Sequence, residues 1–393
     1  MAERGAKTVV PRLRFPEFGK EQAWDIKPFS QILTIGSGKD YKHLDGGPIP
    51  MYGSGGYMLS VSDYLYDGES ACIGRKGTIN KPIFLSGKFW TVDTLFYTHS
   101  FKGCLPRFVF LHFQKIDWLK HNEAGGIPSL SKSNIEKIEV AVPGLKEQQK
   151  IADCLTSLDE VITAQGRKVE ALKAHKRGLM QQLFPREGET RPRLRFPEFR
   201  NAPEWKQETL GETTEVLMCK RIFASETNAA GGVPFYKIGT LGGAPDAYIS
   251  KELFEDYRSR YNFPRIGEIL ITCSGTVGKC LRYDGSAAYF QDSNIVWIDN
   301  PTDAISNDFL FALISNVDWS KLNSTTITRI YGPDLRGLSI KYPKDAAEQK
   351  RIADFLSSLD TQITAESNQL AALKTHKQGL MQQLFPAPEA TGA

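Results

Sequence analysis

Residues 147–185, EQQKIADCLTSLDEVITAQGRKVEALKAHKRGLMQQLFP, return almost unchanged as residues 348–386, EQKRIADFLSSLDTQITAESNQLAALKTHKQGLMQQLFP. A chain that carries one long segment twice must place two like elements, so this repeat governs every other reading. In the first copy Ile151, Leu155, Leu158, Ile162, Gln165, Val169, Leu172, Lys176, Leu179 and Leu183 alternate four and three apart, the spacing of a coiled-coil seam. The second copy has the same seam at Ile352, Leu356, Leu359, Ile363, Glu366, Leu370, Leu373, Lys377, Leu380 and Leu384. Polar residues interrupt both seams at the same two places. They read either as register devices, because a buried polar seam residue penalises slipped pairings, or as points where the stripe is half exposed. Pro143 or Pro343 upstream and Pro185 or Pro386 downstream bound each segment, so each helix can run roughly 38 residues, about 57 Å. Such a strut must bury its stripe, and the other copy is the nearest partner; the two are expected to pack antiparallel.

A second repeat marks where each unit begins. Residues 11–18, PRLRFPEF, recur as residues 192–199, each followed by a tryptophan, Trp24 or Trp205. Between opening and strut lie two variable regions with little shared sequence and one shared plan. Each has a Pro-aromatic loop, at Pro50-Met51-Tyr52 and Pro234-Phe235-Tyr236. Each continues with a Gly-Glu turn and apolar strand (from Gly68-Glu69 and Gly267-Glu268), and a Gly-Thr-x-x-Lys turn, Gly77 to Lys81 and Gly275 to Lys279. An aspartate-bearing strand follows, with Asp93 or Asp292, then a short helix from Phe108 to Trp118 or Phe309 to Trp319. A period-two strand closes each region, with Ile135, Ile138, Val140 and Val142 matching Leu335, Leu338, Ile340 and Tyr342. These are two drifted copies of one mixed α/β domain on matched struts.

Composition narrows little. Net charge is +4, from 49 basic and 45 acidic side chains, too balanced to establish a nucleic-acid partner without local patches. The cysteines, among them Cys72 and Cys273 in strand-like runs, form no CxxC pair and suit reduced core thiols; no histidine pairs with them at zinc spacing. Neither a signal peptide nor a membrane-spanning apolar run is present, so a soluble cytoplasmic protein is expected.

Catalytic motifs fail one after another. Gly36-Ser37-Gly38-Lys39 and Gly275 to Lys279 complete no phosphate loop, and Tyr52 to Gly56 follows no long buried strand and opens no helix. Pro333-Asp334 with Glu348-Gln349-Lys350 imitates a nuclease metal site, but the first half has no matching Pro-Asp; Glu147 and Glu348 read as helix-start residues. No Asn-Pro-Pro-aromatic methyltransferase motif occurs. The loops do interleave basic, aromatic and amide residues suited to phosphates and base edges. The candidate DNA-binding set is Tyr52, Ser54, Arg75, Lys76, Lys81, Lys237, Arg258, Arg260, Lys279, Asn294, Arg329 and Tyr331, with Thr328 beside the last two.

The duplicated EQ-x-x-IA-D-x-L-x-SLD … LK-x-HK-x-GLMQQLFP struts, the RLRFPEF openings and the Gly-Glu-strand-Gly-Thr-x-x-Lys segments together resemble the DNA-specificity subunit of type I restriction-modification enzymes. The resemblance covers essentially the whole chain. It implies an α+β architecture of two α/β target recognition domains separated by two long antiparallel coiled-coil helices, with an internal pseudo-twofold repeat. The expected division is residues 1–146 and 186–347 for the recognition domains, 147–185 and 348–386 for the spacer helices, and 387–393 for a flexible tail. It further implies a non-catalytic chain that reads a bipartite, asymmetric site in double-stranded DNA. Such a chain docks two modification subunits, which methylate adenine N6, and the restriction subunits. S-adenosylmethionine, ATP and Mg belong to those partners, and this chain is expected to bind no cofactor or metal. His175, Lys176, Gln181, His376, Lys377 and Gln382 are the partner-facing candidates. The competing reading is a coiled-coil interaction scaffold without DNA binding.

Overall fold

The computed structural model describes residues 7–275, 277–302, 304–319 and 329–386, and its contacts divide the chain into two units, residues 1–167 with 368–393 and residues 168–367. The division passes through both struts, so each unit contains one globular region and a part of each long helix. The helices run Leu145–Leu183 and Ala346–Leu384, 39 residues each, starting two residues before the expected positions. The expected tail at 387–393 lies outside the described residues.

In the first unit the start of the first strut and the end of the second run antiparallel. Ile151 and Leu155 share a buried cluster with Leu384 and Phe385, while further along Lys377 bonds both carboxylate oxygens of Asp159 at 2.7 and 2.8 Å. The second unit repeats this: Leu183 packs with Ile352 and Leu356, and Lys176 pairs with Asp360. The interrupting lysines of both seams thus each meet an aspartate of the facing helix, which favours one register over a slipped one. The other interruption, Glu366, pairs with Lys168 at 2.6 Å. Both interruptions are also only half-buried, so the two sequence readings hold together.

The first unit's globular region has three sheets. Trp24–Pro28 pairs antiparallel with Glu139–Val142 and with Thr8–Val9. A second sheet orders Thr34–Ser37, Leu95–His99, Ser70–Gly74 and Ile83–Leu85. In the third, Gly46–Gly53 lies between its hairpin partner Gly56–Val61 and the parallel strand Lys88–Thr91, with Tyr66–Asp67 beyond. The second unit keeps the plan. Lys206–Thr209 pairs with Ser339–Tyr342, and a four-stranded sheet orders Glu215–Leu217, Ile295–Asp299, Ile269–Thr272 and Cys280–Arg282. Val233–Tyr236 runs parallel to Tyr289–Phe290 and antiparallel to Tyr248–Ile249. Its hairpin is opened, because residues 237–247 replace a tight turn, and the helix Lys251–Arg260 follows the short second strand.

Three sequence expectations are corrected. Asp93 and Asp292 lie in the turns before the strands Leu95–His99 and Ile295–Asp299, not on them. The predicted helices are Pro106–Lys115 and Asn307–Ile314, ending before Trp118 and Trp319. Ile135 and Leu335 belong to short helices, Lys132–Lys137 and Gly332–Arg336, because Ser131 caps Asn134 N–H in the first and Pro333 starts the second.

Each unit closes on an aromatic triad from three distant segments. In the first, Phe385 at the strut's end stacks on Phe108 (5.3 Å) and meets Trp24 edge-on; in the second, Phe184 meets Phe309 and Trp205. His112 completes the first triad, fully enclosed, with Nε2 at 3.1 Å from the Ala141 carbonyl oxygen. Burial drives its pKa down from 6.5 to about 3. The unfolded chain therefore binds a proton that the folded chain refuses, and stability falls as pH drops below the unfolded value. Between pH 7 and pH 5 the loss from this residue is about 2 kcal/mol. His112→Leu is expected to flatten the acid side of a melting-temperature profile; an unchanged slope would assign the titration elsewhere.

Candidate nucleic-acid interface

Both globular regions build the same backbone junction beside the second strand of their main sheet. In the first, Arg75 N–H donates to the Thr94 carbonyl at 2.8 Å and Leu130 N–H to the Arg75 carbonyl at 2.8 Å. In the second, Cys273 N–H donates to Asn294 at 2.8 Å and Ile330 N–H to Cys273 at 2.9 Å. The backbone thus equates Thr94 with Asn294, and Asp93 with Ser293 rather than with Asp292. The side chains at this shared junction differ, with Arg75 and Lys76 in one and Cys273 and Ser274 in the other. A fixed frame carries different chemistry.

Around the first junction three loops converge. The hairpin tip is adjacent through Ser54, whose N–H reaches Thr94 Oγ1 at 3.5 Å and whose Oγ would lie 3.4 Å from a Cβ at Gly77. Gly77 N–H bonds the Pro128 carbonyl, and Lys76 bridges Ser129, which brings in the loop of Gly125, Gly126 and Ile127. Arg75 lies over the Phe96 ring at 5.9 Å, and neither Arg75 nor Lys76 has a carboxylate partner among the described residues. A groove of about 500 Å³ adjoins, lined by Asp40, Tyr41, Ser54, Tyr57, Met58, Asp93 and Thr94. Ser54, Arg75 and Lys76 of the expected set are gathered here, while Tyr52, two residues before Ser54, packs its ring against Tyr57 and the buried cluster of Cys72 and Phe89. Lys81 is exposed and follows the turn, outside this convergence.

Around the second junction the turn at 292–294 gathers the polar groups. Ser274 Oγ donates to Asn294 Oδ1 at 2.7 Å, and Arg221 Nε donates to Asp292 Oδ2 at 2.8 Å. Asn294 Oδ1 thus uses one of its two acceptor positions within the protein. Arg329 lies 5.5 Å over the exposed Tyr331 ring, next to Ile330. Thr276 and Thr328, named in the sequence reading, lie outside the described residues. The other candidates are engaged within their own surroundings. Lys237 pairs with Asp246 at 2.9 Å and Arg260 with Asp256 at 3.0 Å. Arg258 rests on Phe254 and Phe263, and Lys279 bonds the Leu241 carbonyl. Arg221 was missed because nothing repeats around it; the Met218-to-Phe223 loop with two exposed apolar ends was the available signal.

On the struts, His175, Gln181, His376 and Gln382 are exposed. Lys176 and Lys377, expected to face a partner, are instead drawn into the aspartate pairs described above, since a seam lysine needs a counter-ion. The sequence reading also understated Glu147 and Glu348. Both are buried and grip the opening segments: Arg14 binds Glu147 through two bonds of 2.8 and 2.7 Å, and Arg195 binds Glu348 through two of 2.7 Å. Hydrogen bonding to Glu147 raises the Arg14 pKa above its ordinary value. The two repeated motifs of each half therefore meet as a bidentate ion pair, and Leu13 and Leu194 N–H bond the strut ends at Gln383 and Gln182.

The would-be phosphate loops are packing devices. A Cβ at Gly36 would sit 2.2 Å from the Tyr97 ring, and one at Gly278, whose φ is +77°, 2.0 Å from Trp319. No cluster of metal-ligating side chains and no helix long and apolar enough to cross a membrane occurs among the described residues. Burial raises the thiols of Cys72 and Cys273 to about 12 and about 11, as suits reduced core cysteines.

The family model for the type I restriction modification DNA specificity domain matches residues 21–174 and again 203–375. The chain belongs to the type I restriction-modification DNA specificity family. A putative type I restriction enzyme specificity subunit of Haemophilus influenzae, S.HindORF215P, is 32% identical over 87% of this chain and 89% of its own length. The MjaVIII specificity subunit of Methanocaldococcus jannaschii is 26% identical over 82% and 77%. Among solved structures, the S subunit from M. genitalium superposes with a TM-score of 0.65 at 13% identity, covering 96% of this chain and all of that one. A chain from a structure of type I R-M complex assembly and conformational transition gives 0.55 at 16% identity, covering 92% and 97%. The fold is thus that of specificity subunits, and the function class is DNA sequence specificity.

Proposed function

We propose that this chain is the non-catalytic reader of a type I restriction-modification complex, recognising a bipartite, asymmetric site in double-stranded DNA. The observation that carries this is the pair of equivalent backbone junctions with unlike side chains, in domains whose opening segments are held to the struts by the same Arg–Glu clamp. Two readers on one kind of frame suit two half-sites that need not match. The first half-site falls to the loops of Tyr52, Ser54, Arg75 and Lys76, with Lys81 as a further phosphate contact. The second falls to Asn294, Arg329 and Tyr331, with Arg221 added and with Lys237, Arg258, Arg260 and Lys279 as neighbouring charges. The exposed His175, Gln181, His376 and Gln382 belong to the surface offered to two modification subunits, with restriction subunits joining the same assembly. S-adenosylmethionine, ATP and Mg are used by those partners, in the cytoplasm where the DNA is. Paired readers meet half-sites one turn of DNA, about 34 Å, or more apart.

The test is single-molecule sequencing of adenine methylation after co-expression with the modification subunit in a host lacking other such systems. A two-part motif methylated on both strands is expected. Replacing residues 19–146 by another reader domain should change one half of that motif and leave the other intact; a change in both halves refutes the modular assignment. No methylation from a confirmed complex with an active modification subunit would favour the interaction scaffold.

A further inference from the structure

The hairpin of the first unit is not used like its counterpart. Its edge strand Gly56–Val61 turns back through Ser54 and Gly55, and Gly56 takes φ +110° to make that turn. Tyr57, Met58 and Leu59 follow in sequence and are 62%, 48% and 38% exposed. Successive strand residues point to opposite faces, so both faces of the ribbon are open to solvent. The counterpart strand Tyr248–Ile249 has two residues, with Ile249 buried and a helix following. An apolar, unpaired edge strand invites aggregation unless something covers it.

Charge selects that partner. The ribbon ends at Ser54, beside the uncompensated Arg75 and Lys76, which suits a polyanion. The groove at its flank nevertheless holds Asp40 and Asp93, which have no ion-pair partner among the described residues and would repel phosphates. Carboxylates accept from the exocyclic amines of bases, and apolar side chains pack on the thymine methyl. Both groups are displayed in the DNA major groove, which admits a two-stranded ribbon.

Resting on the DNA-reading function above, we infer that the hairpin 46–61 enters the major groove and that Tyr57 and Met58 read a thymine by its C5-methyl group. Met58 is placed for this, because its sulfur leans over Gly53 at the mouth of the groove, where a Cβ would meet it at 2.9 Å. Arg75 and Lys76 hold the flanking phosphates, while Asp93 accepts from a base amine.

The experiment uses the full chain with its co-expressed modification subunit and duplexes carrying the methylated motif, each thymine replaced singly by uracil. One replacement in the half-site governed by residues 19–146 is expected to weaken binding about four-fold, the value of one buried methyl group. Met58→Ser and Tyr57→Ser, both at exposed positions, should bind thymine and uracil duplexes alike at that site while keeping discrimination in the other half. Intact binding with no uracil-sensitive thymine in that half, no thymine there at all, or sensitivity unchanged in both variants overturns this inference alone. Absence of any duplex binding overturns the DNA-reading function with it.

Discussion

Glu348→Ala is expected to destabilise the protein by about 3–5 kcal/mol in a denaturant titration, the cost of leaving one member of a buried ion pair alone. Glu348 is 1% exposed and accepts from Arg195 Nε and Nη2; the Arg195 side chain, 8% exposed, also donates to the Ala202 and Pro203 carbonyls. Glu348 also accepts from the Trp205 indole N–H at 3.3 Å. Removing it therefore leaves the guanidinium without its counter-charge and the indole N–H without its acceptor, at the place where the opening segment, the strut and the aromatic triad join. Glu147→Ala should cost less, because Trp24, the counterpart of Trp205, has an indole N–H without a partner and so loses nothing. The pair Arg195→Met with Glu348→Leu should recover much of the loss, since well-packed apolar groups replace buried ion pairs at little cost. Equal effects at Glu147 and Glu348 would mean that the Trp205 bond adds nothing, and no recovery in the pair would mean that apolar packing cannot replace the clamp.

The neighbouring glutamines should prove as costly. Gln349 accepts from Ser306 N–H and donates to the Ala304 and Pro343 carbonyls, each at 2.8 Å. Gln148 makes the same three bonds, to Leu105 N–H, the Gly103 carbonyl and the Pro143 carbonyl, at 2.8 to 2.9 Å. Each side chain ties the start of a strut to the N-terminus of the short helix in its domain, and each is buried. Gln349→Leu orphans one donor and two acceptors at about 1–3 kcal/mol for each group left unmade, so a loss of about 3 kcal/mol or more is expected. The amide of Ser306 should lose hydrogen-exchange protection in the same variant. Lys350→Ala, one residue on and exposed with only Asp354 as partner, should leave both measurements unchanged. If the two variants behaved alike, the glutamine bonds would not be what positions the helix.

The Glu-Gln pair shows where the sequence stopped being legible. A carboxylate in a first helical turn has a sufficient local explanation in the helix dipole, so nothing in the strut alone points to an arginine 133 residues away. The repeat held the missing signal, because the RLRF opening and the EQ strut start are duplicated together.

The interface followed the same rule. Arg75 and Lys76 could be found because they adjoin a turn motif common to both halves, whereas Arg221 and Ile127 lie in segments whose sequences do not repeat, and the Tyr57-Met58 strand has only the two-residue counterpart Tyr248–Ile249. Lys176 and Lys377 show a different limit: periodicity places them on the seam, but which aspartate each one meets is decided by the facing helix.

The sequence by itself determined the duplicated plan, the two long helices, their antiparallel pairing and the absence of a complete catalytic motif, because periodicity and repetition are local properties that a single chain displays. The tertiary structure decided which charges are clamps and which remain available, and which loops meet. Those depend on pairs brought together across more than a hundred residues, where burial sets whether a charge is paired or free to bind.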